Sequence, residues 1–451
     1  MASRMTPSRP TACMESIEAR TLFSIAFALP LQSAVGDVSV ATSGDFTGDG
    51  RVDLVARDGA SDRLRLLIGR GDGTFFPSPV SVSGINAGAR VVGLVSGDVN
   101  RDGKLDLIAV NAASDATSPL ESGGVSVLLG NGLGGFAPAT RYLAGPSPTA
   151  VATGDFNRDG RLDLAVANDA IWPAATPTGP QRYAAAILLG GNAGFGAPLQ
   201  LPLPVPTTAV AVGGVPLSNA AAFTPPTVAF AGPLLLSASP LPWTLAMIVS
   251  DPLAVIAAPN SAPVAQIALP GDNAGIAAAD LNRDGRADVA ALQSRGSNTA
   301  NASDWSVHTV VSQPVSSSTA PPGYAVAGSF ASGLFGANGI AINDLDRNGR
   351  ADVVVSGLRS AGPMLPAFYA AAAALPGAGN GLLRSPQVFA TGGASPKALL
   401  LSDADRDGRA DVLVTSASGV STLLNRSLPL TAAREANLFT ERLGVAGEVE
   451  L

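Results

Sequence analysis

Short apolar runs recur along the whole chain, each bounded by glycine, proline or aspartate, and none continues at the three-to-four-residue spacing of an amphipathic helix. Runs of this length between turn residues predict β-strands. One polar phrase separates many of them. It begins at Asp45 (DFTGDGRVD), Asp98 (DVNRDGKLD), Asp155 (DFNRDGRLD), Asp280 (DLNRDGRAD), Asp344 (DLDRNGRAD) and Asp403 (DADRDGRAD). The spacings are 53, 57, 125, 64 and 59 residues, so the interval of 125 is a double one and hides a unit without the motif. Gly214, in AVAVGGVPLSN, fits that slot, with the strand TVAFA from Thr227 after it. Seven units result.

Within a unit the order is a short apolar strand, the Asp loop, a strand such as LDLAVAN, a variable loop, a strand ending LLG, a glycine-rich turn and a last strand. Seven four-stranded units predict an all-β, seven-bladed β-propeller. A β-sandwich would not repeat one loop chemistry at the same point of every unit, and a unit of this length is too long for one coil of a β-solenoid. The seventh unit lacks a convincing fourth strand, whereas FALPLQSAVGDVSVATSGDF from Phe27 repeats the pattern of FGAPLQLPLPVPTTAVAVGG from Phe195. Residues 27 to 33 are therefore expected to complete the last blade beside Val420 to Leu424, closing the ring so that no sheet edge stays exposed. The competing reading is a signal peptide: Leu22 to Leu31 is apolar, follows Arg4, Arg9 and Arg20, and Ser33–Ala34 offers a cleavage point. The expected organisation is an export or surface-targeting segment over 1–26, the propeller over 27–425 and a tail over 426–451, with residues 1 to 20 and those from Ala432 less ordered.

Composition agrees with this pattern and narrows the rest. The 451 residues include 51 Gly and 35 Pro, with only 14% charged side chains, as many short strands and tight turns require. Cys13 is the single cysteine, so no intramolecular disulfide staples the loops. No apolar run is long enough for a transmembrane helix. No basic stripe with interleaved aromatics points to nucleic acid. Of the 35 acidic residues, 19 lie in the six Asp loops, so the net charge of -7 is largely a property of those loops, and six divalent ions would turn it to +5.

Aspartates at alternate positions of a tight loop can converge on a hard cation that takes six to eight oxygens. The loop offers side-chain oxygens at its first, third, fifth and ninth positions, a backbone carbonyl at the seventh, and an invariant glycine at the sixth. The expected ligands are Asp45, Thr47, Asp49, Arg51 and Asp53; Asp98, Asn100, Asp102, Lys104 and Asp106; Asp155, Asn157, Asp159, Arg161 and Asp163. The later loops offer Asp280, Asn282, Asp284, Arg286 and Asp288; Asp344, Asp346, Asn348, Arg350 and Asp352; and Asp403, Asp405, Asp407, Arg409 and Asp411. Arg and Lys enter these sets through their carbonyls. Turn formation alone would explain one D-x-N-x-D-G, but not six copies that all keep the ninth aspartate. Calcium suits such loops better than magnesium, which demands stricter geometry and keeps its waters. About six sites are expected, one per blade except the fourth, and the weaker calcium sites need extracellular concentrations.

These residues resemble the FG-GAP and VCBS repeat families, including the calcium-loop propeller of integrin α subunits. Gly194-Phe195-Gly196-Ala197-Pro198, Gly135-Phe136-Ala137-Pro138 and VLLGNG from Val127 are similar to the families' other signatures. The resemblance spans residues 27 to 425 and implies a seven-bladed propeller, calcium in the strand-to-strand loops and service in adhesion or surface recognition. The fourth unit departs from the pattern in its loop. Glu18 to Phe23 (EARTLF) is also similar to the LEPR-XLL segment that starts some large bacterial surface proteins.

The expected function is a secreted or cell-surface module that binds a protein partner, with a lectin-like propeller as the alternative and a polysaccharide-active enzyme behind both. No catalytic residues are assigned. His308, the single histidine, lies in the alternating strand WSVHTVV and reads as structural; Glu121 reads as a solvated loop residue. A protein or glycan ligand is expected on the face opposite the Asp loops, around Asp115, Trp172, Trp243 and Trp305, where the connections after the second strands are longest.

Overall fold

The computed structural model describes residues 25–427 apart from 60, 62, 83–89, 113–122, 146, 173–182, 193, 202, 204, 214–226, 235–242, 250–251, 254–263, 295–304, 314–322 and 361–367. Asp115, Glu121, Cys13 and Gly214 lie outside the described residues, as do residues 1 to 20 and the segment from Ala432.

The chain forms a seven-bladed β-propeller, each blade a four-stranded antiparallel sheet whose strands follow sequence order from the centre outwards. Blade one comprises Val38–Gly44, Asp53–Asp58, Leu64–Gly69 and Phe75–Val82; blade two Val91–Gly97, Asp106–Asn111, Gly124–Leu128 and Thr140–Tyr142. Blade three comprises Pro148–Gly154, Asp163–Trp172, Tyr183–Leu188 and Leu199–Leu201. Blade four, the unit without the motif, keeps all four strands: Ala209–Gly213, Thr227–Leu234, Trp243–Val249 and Val264–Pro270. Blade five comprises Asp272–Ala279, Asp288–Ser294, Trp305–Ser312 and Tyr324–Ala331, and blade six Phe335–Asn343, Asp352–Ser360, Phe368–Leu375 and Gln387–Ala390. Pro396–Ser402, Asp411–Ser416 and Gly419–Leu423 make the inner three strands of blade seven.

The fourth strand of blade seven is Leu31–Ser33, paired as Leu31↔Thr422, Gln32↔Ser421 and Ser33↔Val420, with a further bridge between Phe27 and Asn425. The expected closure is therefore present, and it extends slightly beyond the expected segment. Ile25 is buried between blades six and seven, and the Ala26 amide donates to Ser427 Oγ.

Among the described residues seven apolar clusters hold the disc together, one at each interface between neighbouring blades. Second strands such as Asp106–Asn111 and Asp411–Ser416 are buried along their whole length because each is flanked by a neighbouring blade on both faces. This is why they read as continuous apolar runs instead of alternating ones. The antiparallel order puts every Asp loop and every turn between third and fourth strands at one end of the blades. The connections between second and third strands lie at the other end.

Candidate metal centres in the loops

Each loop is wound around its first aspartate. Asp45 accepts from the amides of Gly48, Asp49 and Gly50, and Asp280 from those of Arg283, Asp284 and Gly285. Asp98, Asp155, Asp344 and Asp403 likewise accept from the amide of their sixth-position glycine. The fifth-position carboxylate in turn accepts from the seventh-position amide, as in Asp49 with Arg51 and Asp407 with Arg409. Such turns require a left-handed backbone at two points. The sixth-position glycines supply one, with φ between 76° and 80°. The fourth position supplies the other, where Gly48 (φ 73°) is replaced in the remaining loops by Arg101, Arg158, Arg283, Arg347 and Arg406, with φ between 56° and 67°. Arginine is not among the residues that local propensity favours in that conformation.

The second position also has a role that the spacing did not reveal. Phe46, Val99, Phe156, Leu281, Leu345 and Ala404 are all buried, each in the cluster between its own blade and the next. Every loop is thus pinned from below by an apolar side chain. Four of the loops are also latched from the side: Gly134 donates to the Phe46 carbonyl (2.8 Å), Gly381 to Leu281 (3.0 Å), Gly73 to Ala404 (3.2 Å) and Asn425 Nδ2 to Leu345 (2.8 Å). In each case the donor belongs to the following blade.

The ninth aspartates (Asp53, Asp106, Asp163, Asp288, Asp352 and Asp411) are fully buried. One oxygen of each accepts from the second-position amide of the loop, and the other from the chain at or just past the end of the third strand: Gly69, Gly130, Gly190, Ser312, Gly377 and Asn425. These carboxylates therefore clasp loop to turn. Burial pushes Asp288 and Asp352 up to about 7 and Asp411 up to about 6, against the lowering effect of their amide donors and with the like charge of loop neighbours adding to the rise. Asp53, Asp106 and Asp163 are raised for the same first reason. Among the described residues no Lys or Arg pairs with a ninth aspartate. The ion pairs instead engage outer carboxylates, as in Arg51–Asp49, Lys104–Asp102 and Arg426 with Asp405 and Asp407.

In the sixth and seventh loops the geometry goes further. One oxygen from each of Asp344, Asp346 and Asp352 lies within 4.8 Å of the others, and Asp403, Asp405 and Asp411 form a second such group. Asp346 Oδ2, Asn348 Oδ1 and Asp403 Oδ1 are buried there without a hydrogen-bond partner. Buried oxygens left without a donor are costly. Three of them among clustered carboxylates fit a cation and fit no described protein group. The other loops carry Thr or Asn at the third position, so a three-carboxylate group does not form at positions one, three and nine. Thr47 donates its hydroxyl to Asp53, and Asn157 and Asn282 donate to Asp159 and Asp284.

At the opposite end, Trp172 pairs with Tyr183, Trp243 with Leu234 and Pro270, and Trp305 with Ser294. All three tryptophans flank connections between second and third strands: Trp172 ends a second strand, and Trp243 and Trp305 each begin a third. Trp305 is half-buried and packs against the cluster between blades five and six. His308 is buried within its strand, with Nε2 2.9 Å from Ser306 Oγ.

Fold and loops together define a repeat-built β-propeller with acidic clusters able to hold metal. Residues 45–109 and 115–166 match the FG-GAP-like repeat family, so the chain carries FG-GAP-like repeats, and the matched spans begin at the first Asp loop and run past the third. No curated protein matches the chain. A propeller of such repeats fits a protein-interaction module in general.

Proposed function

We propose that this protein is a calcium-stabilised interaction module that works outside the cytoplasm, at the cell surface or secreted, in an adhesive or recognition role. The observation that carries the calcium reading is the pair of carboxylate groups in loops six and seven with their three partnerless buried oxygens. Asp344, Asp346, Asn348 and Asp352, with Asp403, Asp405, Asp407 and Asp411, would hold the ion, and the equivalent positions of loops one, two, three and five would hold four more. The ion would supply the positive charge that the buried ninth aspartates lack. Because loops one, five, six and seven are latched to the next blade, an ion in any of them would also tighten the interface beside it.

A partner site at the opposite end is supported by the three tryptophans flanking the second-to-third connections. A glycan ligand there is the second reading, since tryptophan faces suit sugar rings. The enzyme reading finds little support in His308, whose ring is buried against Ser306. No helix among the described residues is long and apolar enough to cross a membrane.

Calcium titration by calorimetry, read together with thermal melting in calcium and in chelator, tests the proposal. About six equivalents bound and a large fall in melting temperature on chelation are expected. An unchanged melting curve would remove calcium from the account. A glycan array probed with the parent and with a Trp172→Ala, Trp243→Ala variant separates the lectin reading from the protein-partner one.

A further inference from the structure

We infer that the end of the disc carrying the Asp loops is a second docking surface, specific for a linear anionic polysaccharide and switched on by metal. The inference rests on the calcium reading above and concerns residues that are not ligands. Arg101, Arg158, Arg283, Arg347 and Arg406 occupy the fourth position of five loops in a left-handed backbone. That conformation costs a non-glycine residue roughly 1–2 kcal/mol, and Gly48 shows that the loop closes with glycine in the same place. The backbone therefore gives no reason for arginine, and strain maintained at five equivalent points calls for a role of the side chain. All five side chains are exposed, and their guanidinium groups make no hydrogen bond or ion pair among the described residues.

They also form an arc. A methyl group placed on Gly160 would meet the Arg101 guanidinium at 3.8 Å, one on Gly408 would meet Arg347 at 3.1 Å, and one on Gly50 would meet Arg406 at 3.9 Å. Each of these arginines thus leans over the loop of the next blade. A guanidinium fork matches the oxygens of a sulfate or carboxylate in a two-point contact. The charge balance decides when such a ligand is accepted. The six loop segments hold 19 carboxylates and 11 Lys and Arg, a net of -8. Six divalent ions would make it +4, so the arc faces a negative surface without metal and a positive one with it.

The kind of polyanion follows from what this surface lacks. No exposed aromatic ring is found among its described residues; Phe368, the exposed ring, begins a third strand at the other end. Single-stranded nucleic acid would need such stacking platforms. Of the exposed leucines at this end, Leu129 and Leu133 belong to blade two, Leu382 to blade six and Leu29 to blade seven, whereas the groups that recur from loop to loop are the arginines, so charge and not apolar area is what this surface offers a ligand.

The test uses the full chain, a heparin oligosaccharide as probe, and a variant with Arg101, Arg158, Arg283, Arg347 and Arg406 all replaced by glycine. Glycine relieves the backbone, so calcium uptake and melting temperature should be kept or raised. Heparin should bind the calcium-loaded parent and not the chelated one. The variant should bind on the order of 100-fold more weakly, with the slope of log affinity against log salt reduced by about one for each arginine removed. If calcium binds normally but heparin affinity is the same with and without it, or the same in the variant, the arc is not a docking surface and the calcium reading stands. A flat calcium isotherm overturns both. Equal affinity for oligo-dT would overturn the choice of polysaccharide in favour of nucleic acid.

Discussion

Gly285 isolates the backbone demand of these loops. Its φ is +80°, and a Cβ placed there would meet nothing within 4 Å, so Gly285→Ala carries the conformational penalty without a clash. A loss of about 1–2 kcal/mol is expected by denaturant unfolding, with the slope of the transition unchanged. The ninth aspartate poses a different question, because Asp352 is buried, raised to about 7 and ringed by the charges of Asp344 and Asp346. Asn in its place keeps one acceptor for the Gly377 or Leu345 amide and removes the charge whose burial is costly. With chelator present, Asp352→Asn should therefore cost only about 1–3 kcal/mol, the deficit of one mismatched donor. With calcium the deficit should grow, because a carboxylate ligand has been lost as well. Melting curves of parent and variant under both conditions measure that difference, and equal deficits would show Asp352 to be a hydrogen-bond clasp alone.

At three interfaces neighbouring blades are fitted to one another through a glycine notch. A Cβ on Gly44 would come within 2.3 Å of Leu105 Cδ1, one on Gly97 within 2.5 Å of Leu162 Cδ1, and one on Gly213 within 2.6 Å of Ala287 Cβ. The residue before one loop thus receives the eighth residue of the next. Between blades five and six the corresponding residues are Ala279 and Ala351, which share the cluster at that interface. Gly97→Ala should cost about 1–3 kcal/mol through overpacking, and Leu162→Ala should relieve it, giving a favourable coupling in a double-mutant cycle. Additive losses would show that the notch is not shared. Such contacts explain where sequence reading stopped. The seven blades were legible because one loop phrase recurs at a fixed point, and the closing strand because residues 27 to 33 repeat the pattern of those from Phe195. The notch, the buried second positions such as Phe46 and the latch from Gly134 are meetings between residues of different repeats, and each repeat looks locally complete without them. The left-handed arginines were hidden for another reason: local propensity names Gly, Asn or Asp for that conformation, and here the loop's hydrogen bonds override it.

For the whole disc, closure and metal act on the same seam. Leu31–Ser33 pairs with Gly419–Leu423, Lys397 Nζ contacts Asp37 Oδ1, and the blade-one turn donates to the blade-seven loop through Gly73. Removing residues 1–33 should therefore open blade seven, exposing a sheet edge, and should lower the melting temperature while promoting association at higher concentration. The pH response of the intact protein depends on which species the loops hold. Asp288, Asp352 and Asp411 have folded-state values of about 7, 7 and 6 against 3.8 for the free side chain, so the folded state binds protons more tightly than the unfolded chain. The stability they contribute is fully present below about 3.8 and lost as pH rises through 6 to 7. Chelated protein should then melt higher at pH 5 than at pH 8. Calcium needs the ionised carboxylates, and at 100 times its dissociation constant each independent site adds about 2.7 kcal/mol, so the calcium-induced rise should be largest at pH 8 and shrink toward pH 5. Opposite slopes in calcium and in chelator are thus the expected signature, read by melting scans across that range. Parallel slopes would mean that protons and calcium do not compete for the ninth aspartates, and that the ion, if bound, sits elsewhere in the loops.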